Sequence, residues 1–148
     1  MERQRRVLYR DEPPSVWFVV DEVALYRYVG SPELMAEQLD HLGDVAQLPN
    51  VTMTVMPAIT HPGNESEFII TDDAVYAEHA VAGFVYTDEE TFTRLATRFD
   101  SLRGESYRVS DSLARVRGMR DVWTHGVRAA TAAAREDRVL KSPTRRRA

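Results

Sequence analysis

The chain of 148 residues contains no cysteine. Disulfides, catalytic thiols and cysteine-ligated zinc or iron–sulfur sites are therefore excluded, and a cytoplasmic location is favoured. No apolar run approaches the length of about 18 residues that would span a membrane. The basic residues near the N-terminus are not followed by an apolar segment long enough for a signal peptide. The length fits a single domain.

Several motifs that mark common enzyme classes are also missing. The sequence has no Gly-x-Ser-x-Gly, no Gly-x-Gly-x-x-Gly and no phosphate-binding loop, which argues against serine-elbow hydrolases, nucleotide-dependent enzymes and dinucleotide oxidoreductases. Its histidines lack a metal-ligand spacing such as His-x-x-x-His. We therefore expect neither a cofactor nor a metal.

Basic residues are almost absent from the middle of the chain. Residues 11–93 contain 16 acids and one base, Arg27, whereas residues 1–10 carry a net charge of +3 and residues 94–148 a net charge of +8. One interpretation is that the acidic body and the basic helices neutralise each other within one fold. The alternative is that the acidic body selects a cationic or amine-bearing small molecule, or covers a basic protein partner.

The pattern of apolar residues predicts an α+β fold with a small mixed or antiparallel sheet of about five strands and three to four helices. Ser31 and Pro32 are suited to begin a helix, and Thr87 with Glu90 forms a capping box for a later one. We expect one binding domain over residues 1–140 and a basic disordered tail over residues 141–148. The expected strands are 16–20, 51–56, 67–71, 74–78 and 83–86.

Two or three helices are expected after the last strand. One would begin at Ser110 and Asp111, and an Ala-rich segment over residues 127–140 is expected to be helical too. This segment has so little apolar surface that it would dock loosely or on a partner, which makes a homodimer plausible. Large aromatic residues are expected in the core, among them Trp17, Tyr26, Tyr28, Phe68, Tyr76 and Phe84.

Polar residues at the ends of predicted strands are the candidates for a site. Asp21 and Glu22 follow a buried strand, and only one of two adjacent strand residues can face inward. A carboxylic acid in an apolar wall is a candidate general acid or base, although a salt bridge to Arg27 or a helix N-cap role would explain Glu22 equally well. Tyr76 and Glu78 share a face of their strand. Glu78 could instead be an exposed edge carboxylate.

One whole stretch, from about residue 4 to residue 123, resembles a single family. It is similar to the antitoxin-like domain of unknown function that follows a helix-turn-helix in bacterial regulators of the xenobiotic-response-element type. The matching segments, in order, are Val20-Asp21-Glu22, Met35-Ala36-Glu37-Gln38-Leu39, Leu48 to Pro57, His61-Pro62-Gly63, Val75-Tyr76-Ala77-Glu78 and Phe99 to Arg103. The DNA reader would precede this domain, and Met1 lies just before it, so we expect no direct sequence-specific DNA binding.

The resemblance implies that Glu22 is the inward carboxylate, and that the domain binds a small molecule or a partner as the sensory half of a regulator does. One alternative is a cofactor-free cyclase, isomerase or dehydratase, with Glu22, Glu78 and His61 as catalytic residues. Another is an antitoxin-like protein. His61 could equally be a solvent-facing loop residue. The ligand-binding residues expected in one pocket are Asp21, Glu22, Arg27, Gln38, His61, Tyr76 and Glu78.

Overall fold

The computed structural model describes residues 7–58, 67–78 and 81–140, and the side chains of this part as far as residue 126. The predicted α+β class is confirmed, with five strands and four helices in the described part. They follow in the order β1 (Val16–Asp21), α1 (Glu22–Tyr26), α2 (Pro32–Val45), β2 (Val51–Met56), β3 (Glu67–Ile70), β4 (Val75–Glu78), β5 (Gly83–Tyr86), α3 (Glu89–Glu105) and α4 (Val109–Leu140).

The strands form two small sheets instead of one. β1 and β2 pair in parallel from Val16 opposite Val51 to Asp21 opposite Met56. Helices α1 and α2 connect these two strands, because parallel neighbours need a crossover between them. β3, β4 and β5 form a separate antiparallel sheet, the meander.

The main core lies between the parallel pair and helices α2 and α4. Its buried members are Leu25, Leu39, Met53, Val55 and Val116. Thr54 and Met56 are buried as well, so β2 is covered on both faces. Both faces are buried because helices pack on a parallel sheet from two sides.

Helix α2 begins as the sequence predicts. The Ser31 hydroxyl accepts a hydrogen bond from the backbone N–H of Leu34 at 3.2 Å, and Pro32 is the first helical residue. Its inward stripe includes Met35 and Leu39, which are both buried. Each such side chain contributes about 1.5–3 kcal/mol through its removal from water.

Two helix starts differ from the predictions. Asp88, not Thr87, caps α3 by accepting a hydrogen bond from the backbone N–H of Thr91 at 2.8 Å. The Thr91 backbone N–H and then the Thr91 hydroxyl hold the pKa of Asp88 below its usual value. The last helix begins at Val109, one residue before the predicted Ser110, and runs unbroken to Leu140, so the Ala-rich segment continues the same helix.

The helices divide the molecule into two sides. α3 packs on β2 and on strands β3 and β4 of the meander, whereas α4 packs on α1, α2 and β2. Within the described residues, no helix is both long and apolar enough to cross a membrane.

Candidate functional site

Glu22 is held at the carboxyl end of the parallel pair. Asp21 is the last residue of β1, and its side chain accepts a hydrogen bond from the backbone N–H of Val23 at 2.8 Å, which caps α1. Glu22 is therefore the first residue of a helix, and its side chain turns inward, with 7% of the residue exposed. Helix α1 is short, but the cap and the buried Leu25 fix its direction.

Both carboxylate oxygens of Glu22 accept hydrogen bonds from elsewhere in the protein. Oε1 accepts a hydrogen bond from Nη1 of Arg115 at 2.7 Å, and Oε2 accepts one from the backbone N–H of Ala58 at 3.1 Å. The sequence suggested Arg27 as the salt-bridge partner. Arg27 is instead exposed at the end of α1, where its backbone N–H donates to the carbonyl of Val23.

Arg115 reaches Glu22 because the link between α3 and α4 is fixed to the outer edge of β2. The backbone N–H of Tyr107 donates to the carbonyl of Val55 at 2.9 Å, and the Val55 N–H donates to the hydroxyl of the fully buried Ser112 at 2.8 Å. The Arg115 guanidinium then stacks on the Tyr107 ring at 3.7 Å. This ion pair joins the last helix to the first crossover, and it neutralises the buried carboxylate.

The second candidate region is the outer face of the meander, defined as Glu67, Ile69, Tyr76, Glu78, Gly83 and Val85. The opposite face carries Val75 and Ala77, both buried under α3. Alternate strand residues point to opposite sides, so the outer face is turned to solvent.

One apolar row crosses the outer face. Ile69 lies directly opposite Tyr76, and Tyr76 lies directly opposite Val85. Their exposed fractions are 62%, 39% and 68%. Beside the row, the Tyr76 ring covers Gly83, where a Cβ would lie only 2.8 Å from the ring carbon Cε2. The result is an aromatic and aliphatic strip that spans all three strands without a covering element in the described part of the chain.

A pair of carboxylates borders this strip. Glu67 lies directly opposite Glu78 across β3 and β4, and both residues are exposed. Like charges opposite each other in an antiparallel pair destabilise it. The fold therefore keeps an unfavourable charge pair next to exposed apolar side chains.

The acids of the meander side form no close ion pair among the described residues. Residues 67–90 contain seven acids and no lysine or arginine, although Arg94 of α3, after the hydrogen bonds of the helix cap, helps to lower the pKa of Asp88. On the other side, two arginines of α4 form ion pairs, Arg115 with Glu22 and Arg120 with Asp40 at 3.1 Å. Part of the charge segregation in the sequence is thus neutralised on the α4 side, and exposed acids are left on the meander side.

Glu22 begins α1 directly after β1, whereas Glu78 ends β4 in the separate meander, and no hydrogen bond or ion pair joins the two side chains in the described structure. Tyr76 shares the exposed face with Glu78, as predicted, and Gln38 is exposed on α2. His61 lies outside the described residues, as does the tail over residues 141–148. The described residues contain no group of side chains suited to hold a metal ion.

Two features were missed from the sequence. Arg115 stands 93 positions from Glu22, and no local signal connects them. The apolar strip was missed because aromatic residues were assigned to the core, which is wrong for several of them. Those with an exposed fraction of about 40% or more are Trp17, Tyr26, Tyr28, Tyr76 and Phe84. The alternation of β3 to β5 could have indicated the strip, because it places Ile69 on the side of Glu67.

Comparison with known proteins gives one family. A family model described as a domain of unknown function, DUF5753, matches residues 1–118. No curated protein and no solved structure matches the chain.

Proposed function

The chain belongs to the DUF5753 family of domains of unknown function, and we propose that it is a partner-binding domain whose outer face takes a positively charged protein segment. The observation that carries the proposal is the exposed row of Ile69, Tyr76 and Val85 beside the opposed carboxylates Glu67 and Glu78. Monomeric proteins seldom expose contiguous apolar side chains without a use for them.

The acidic charge of the meander side favours a positively charged partner. A segment with seven acids and no base attracts basic proteins and repels acidic ones. An arginine side chain that approaches the strip would meet two carboxylates that now repel each other, so binding would relieve an unfavourable contact. The apolar row would meanwhile cover aliphatic side chains of the partner. The resemblance to antitoxin-like domains of regulators supports the same kind of role, in which an acidic surface covers a basic partner.

A binding role fits the Glu22 site better than a catalytic one. A general acid or base must lie within hydrogen-bond reach of the substrate proton that it moves. Glu22 is only 7% exposed, and each of its oxygens accepts a hydrogen bond from the protein itself, one from Arg115 and one from the Ala58 backbone. Glu78 lies on an open face, where water has access and a substrate would not be enclosed. We therefore assign Glu22 to the fold and Glu78 to partner binding.

The proposal is tested with a labelled peptide of alternating Arg and Leu, and with its Glu-Leu counterpart, by fluorescence anisotropy. We expect the basic peptide to bind and the acidic one not to bind. The double variant Glu67→Gln and Glu78→Gln should bind the basic peptide roughly tenfold more weakly. Gln keeps the size of each side chain, so the loss would report the charge.

Glu37→Gln is the matched control, because Glu37 is an exposed carboxylate on α2, away from the meander. It should bind the basic peptide like the wild type. Equal binding of both peptides would show that charge does not select the partner. An equal loss in the Glu37 variant would show that only the overall charge matters. Either result would refute the outer face as an acidic binding surface.

A further inference from the structure

We propose that the partner of the outer face is the C-terminal segment of a second copy of this chain, residues 127–148. This inference rests on the proposed function and names its partner. The segment contains seven bases and two acids, and so has a net charge of +5. The segment carries the positive charge that the meander side lacks. Because the segment and the outer face belong to the same chain, their concentrations are always equal.

The chemistry of the segment matches the outer face in two respects. Arg145, Arg146 and Arg147 form a run of guanidinium groups, which pair with carboxylates through two parallel hydrogen bonds each. Val139 and Leu140 precede them and supply aliphatic side chains for an apolar strip. A segment with arginines alone would not use Ile69, Tyr76 and Val85.

The length of α4 can bring the segment to another copy. One contact of α4 with its own fold is at Trp123, whose indole N–H donates to the carbonyl of Leu25 at 3.1 Å. The helix continues to Leu140, about 26 Å further along its axis at 1.5 Å per residue.

The contact is between two different surfaces, and its simplest closed form is a reciprocal dimer. In that dimer each copy gives its segment to the other and receives one in return, which satisfies two-fold symmetry. Two contacts of the same kind then act together, and the second forms at a high effective concentration.

The test is sedimentation velocity on the full chain and on two variants. The face variant carries Glu67→Gln and Glu78→Gln, and the tail variant carries Arg145→Gln, Arg146→Gln and Arg147→Gln. We expect the wild type and the Glu37→Gln control to dimerise. Each variant alone should be monomeric. In the face variant both contacts of the dimer lack the carboxylates, and in the tail variant both contacts lack the guanidinium groups.

A mixture of the two variants should form a one-to-one complex. The tail variant still has an intact outer face and the face variant an intact segment, so one of the two contacts is restored. We expect this complex to dissociate roughly tenfold or more readily than the wild-type dimer. Restoration on mixing cannot come from misfolding, since a misfolded copy would not recover its binding.

Three results would overturn the inference. They are a wild type that stays monomeric, a tail variant that still dimerises, and a mixture that shows no complex although the wild type dimerises. If the wild type is monomeric but the Arg-Leu peptide binds the outer face, the proposed function survives and only the second copy is rejected as partner. If the peptide does not bind either, the proposed function fails as well.

Discussion

Glu22 has a structural role that its residue type does not reveal. A buried carboxylate near a strand end is a common candidate for catalysis. Here the two carboxylate oxygens accept hydrogen bonds from the Arg115 guanidinium and from the Ala58 backbone N–H. Removal of one partner from such a pair leaves an uncompensated charge in the interior, whereas removal of both leaves none. The pair can therefore be tested as a unit.

Arg115→Met should lower the free energy of unfolding by about 2 kcal/mol, measured by urea denaturation. A fully buried pair would lose about 3–5 kcal/mol, and the Arg115 side chain is 41% exposed, so solvent screening reduces the effect. The added change Glu22→Gln removes the unpaired charge and should recover part of the loss. If Arg115→Met is as stable as the wild type, the ion pair does not join α4 to the crossover as the geometry indicates.

Helix α3 connects the two sheets, and its start depends on Asp88. The Thr91 backbone N–H holds the pKa of this carboxyl below its usual value, with a further contribution from the Thr91 hydroxyl. A carboxyl whose pKa is lowered by folding stabilises the fold above its unfolded pKa. It loses that contribution as the pH falls through the folded pKa. The ordinary pKa of an Asp carboxyl is 3.8, so the loss begins just above that pH and continues below it.

We expect Asp88→Asn to have a smaller fall in melting temperature between pH 5 and about pH 3 than the wild type. Asn is as good a helix cap as Asp, but it does not titrate. The two melting temperatures should converge as the pH falls, when followed by circular dichroism. Parallel curves over this range would mean that Asp88 does not cap α3 in solution.

Whole elements could be predicted from the sequence where their signals are local. α2 has its cap, its first proline and its apolar stripe within one short segment, so the predicted start of this helix agrees with the structure. The start of α3 was misplaced by one residue, because Thr87 and Asp88 are both suitable caps and only the backbone of Thr91 distinguishes them.

The pairing of strands could not be predicted in the same way. Strand patterns show which face is apolar but not which strands are neighbours, so five strands were expected in one sheet and two sheets formed. The expected cluster of Glu22 and Glu78 depended on that single sheet. The actual partner of Glu22 lies on the last helix, where Arg115 differs in no visible way from its neighbouring arginines in the sequence.

At the scale of the whole molecule, the charge is distributed unevenly between the two sides. Arginines of α4 meet Glu22 and Asp40 on one side, and the acids of the meander form no close ion pair in the described structure. A surface of one sign destabilises a compact fold through self-repulsion. Such a surface should therefore reduce stability in the free protein and favour association with a basic partner.

Added salt should raise the melting temperature of the tail variant, because screening reduces repulsion among exposed charges. The tail variant provides a monomeric background with an intact outer face, so that salt cannot act by dissociating a dimer. In this background, Glu67→Gln with Glu78→Gln should start higher, by about 2 °C for a gain of about 0.5 kcal/mol, and should respond less to salt. Glu37→Gln in the same background should leave the melting temperature and its salt response unchanged. A melting temperature that falls when Glu67 and Glu78 are neutralised would mean that these carboxylates support the fold, and it would remove the reason to assign them to a partner.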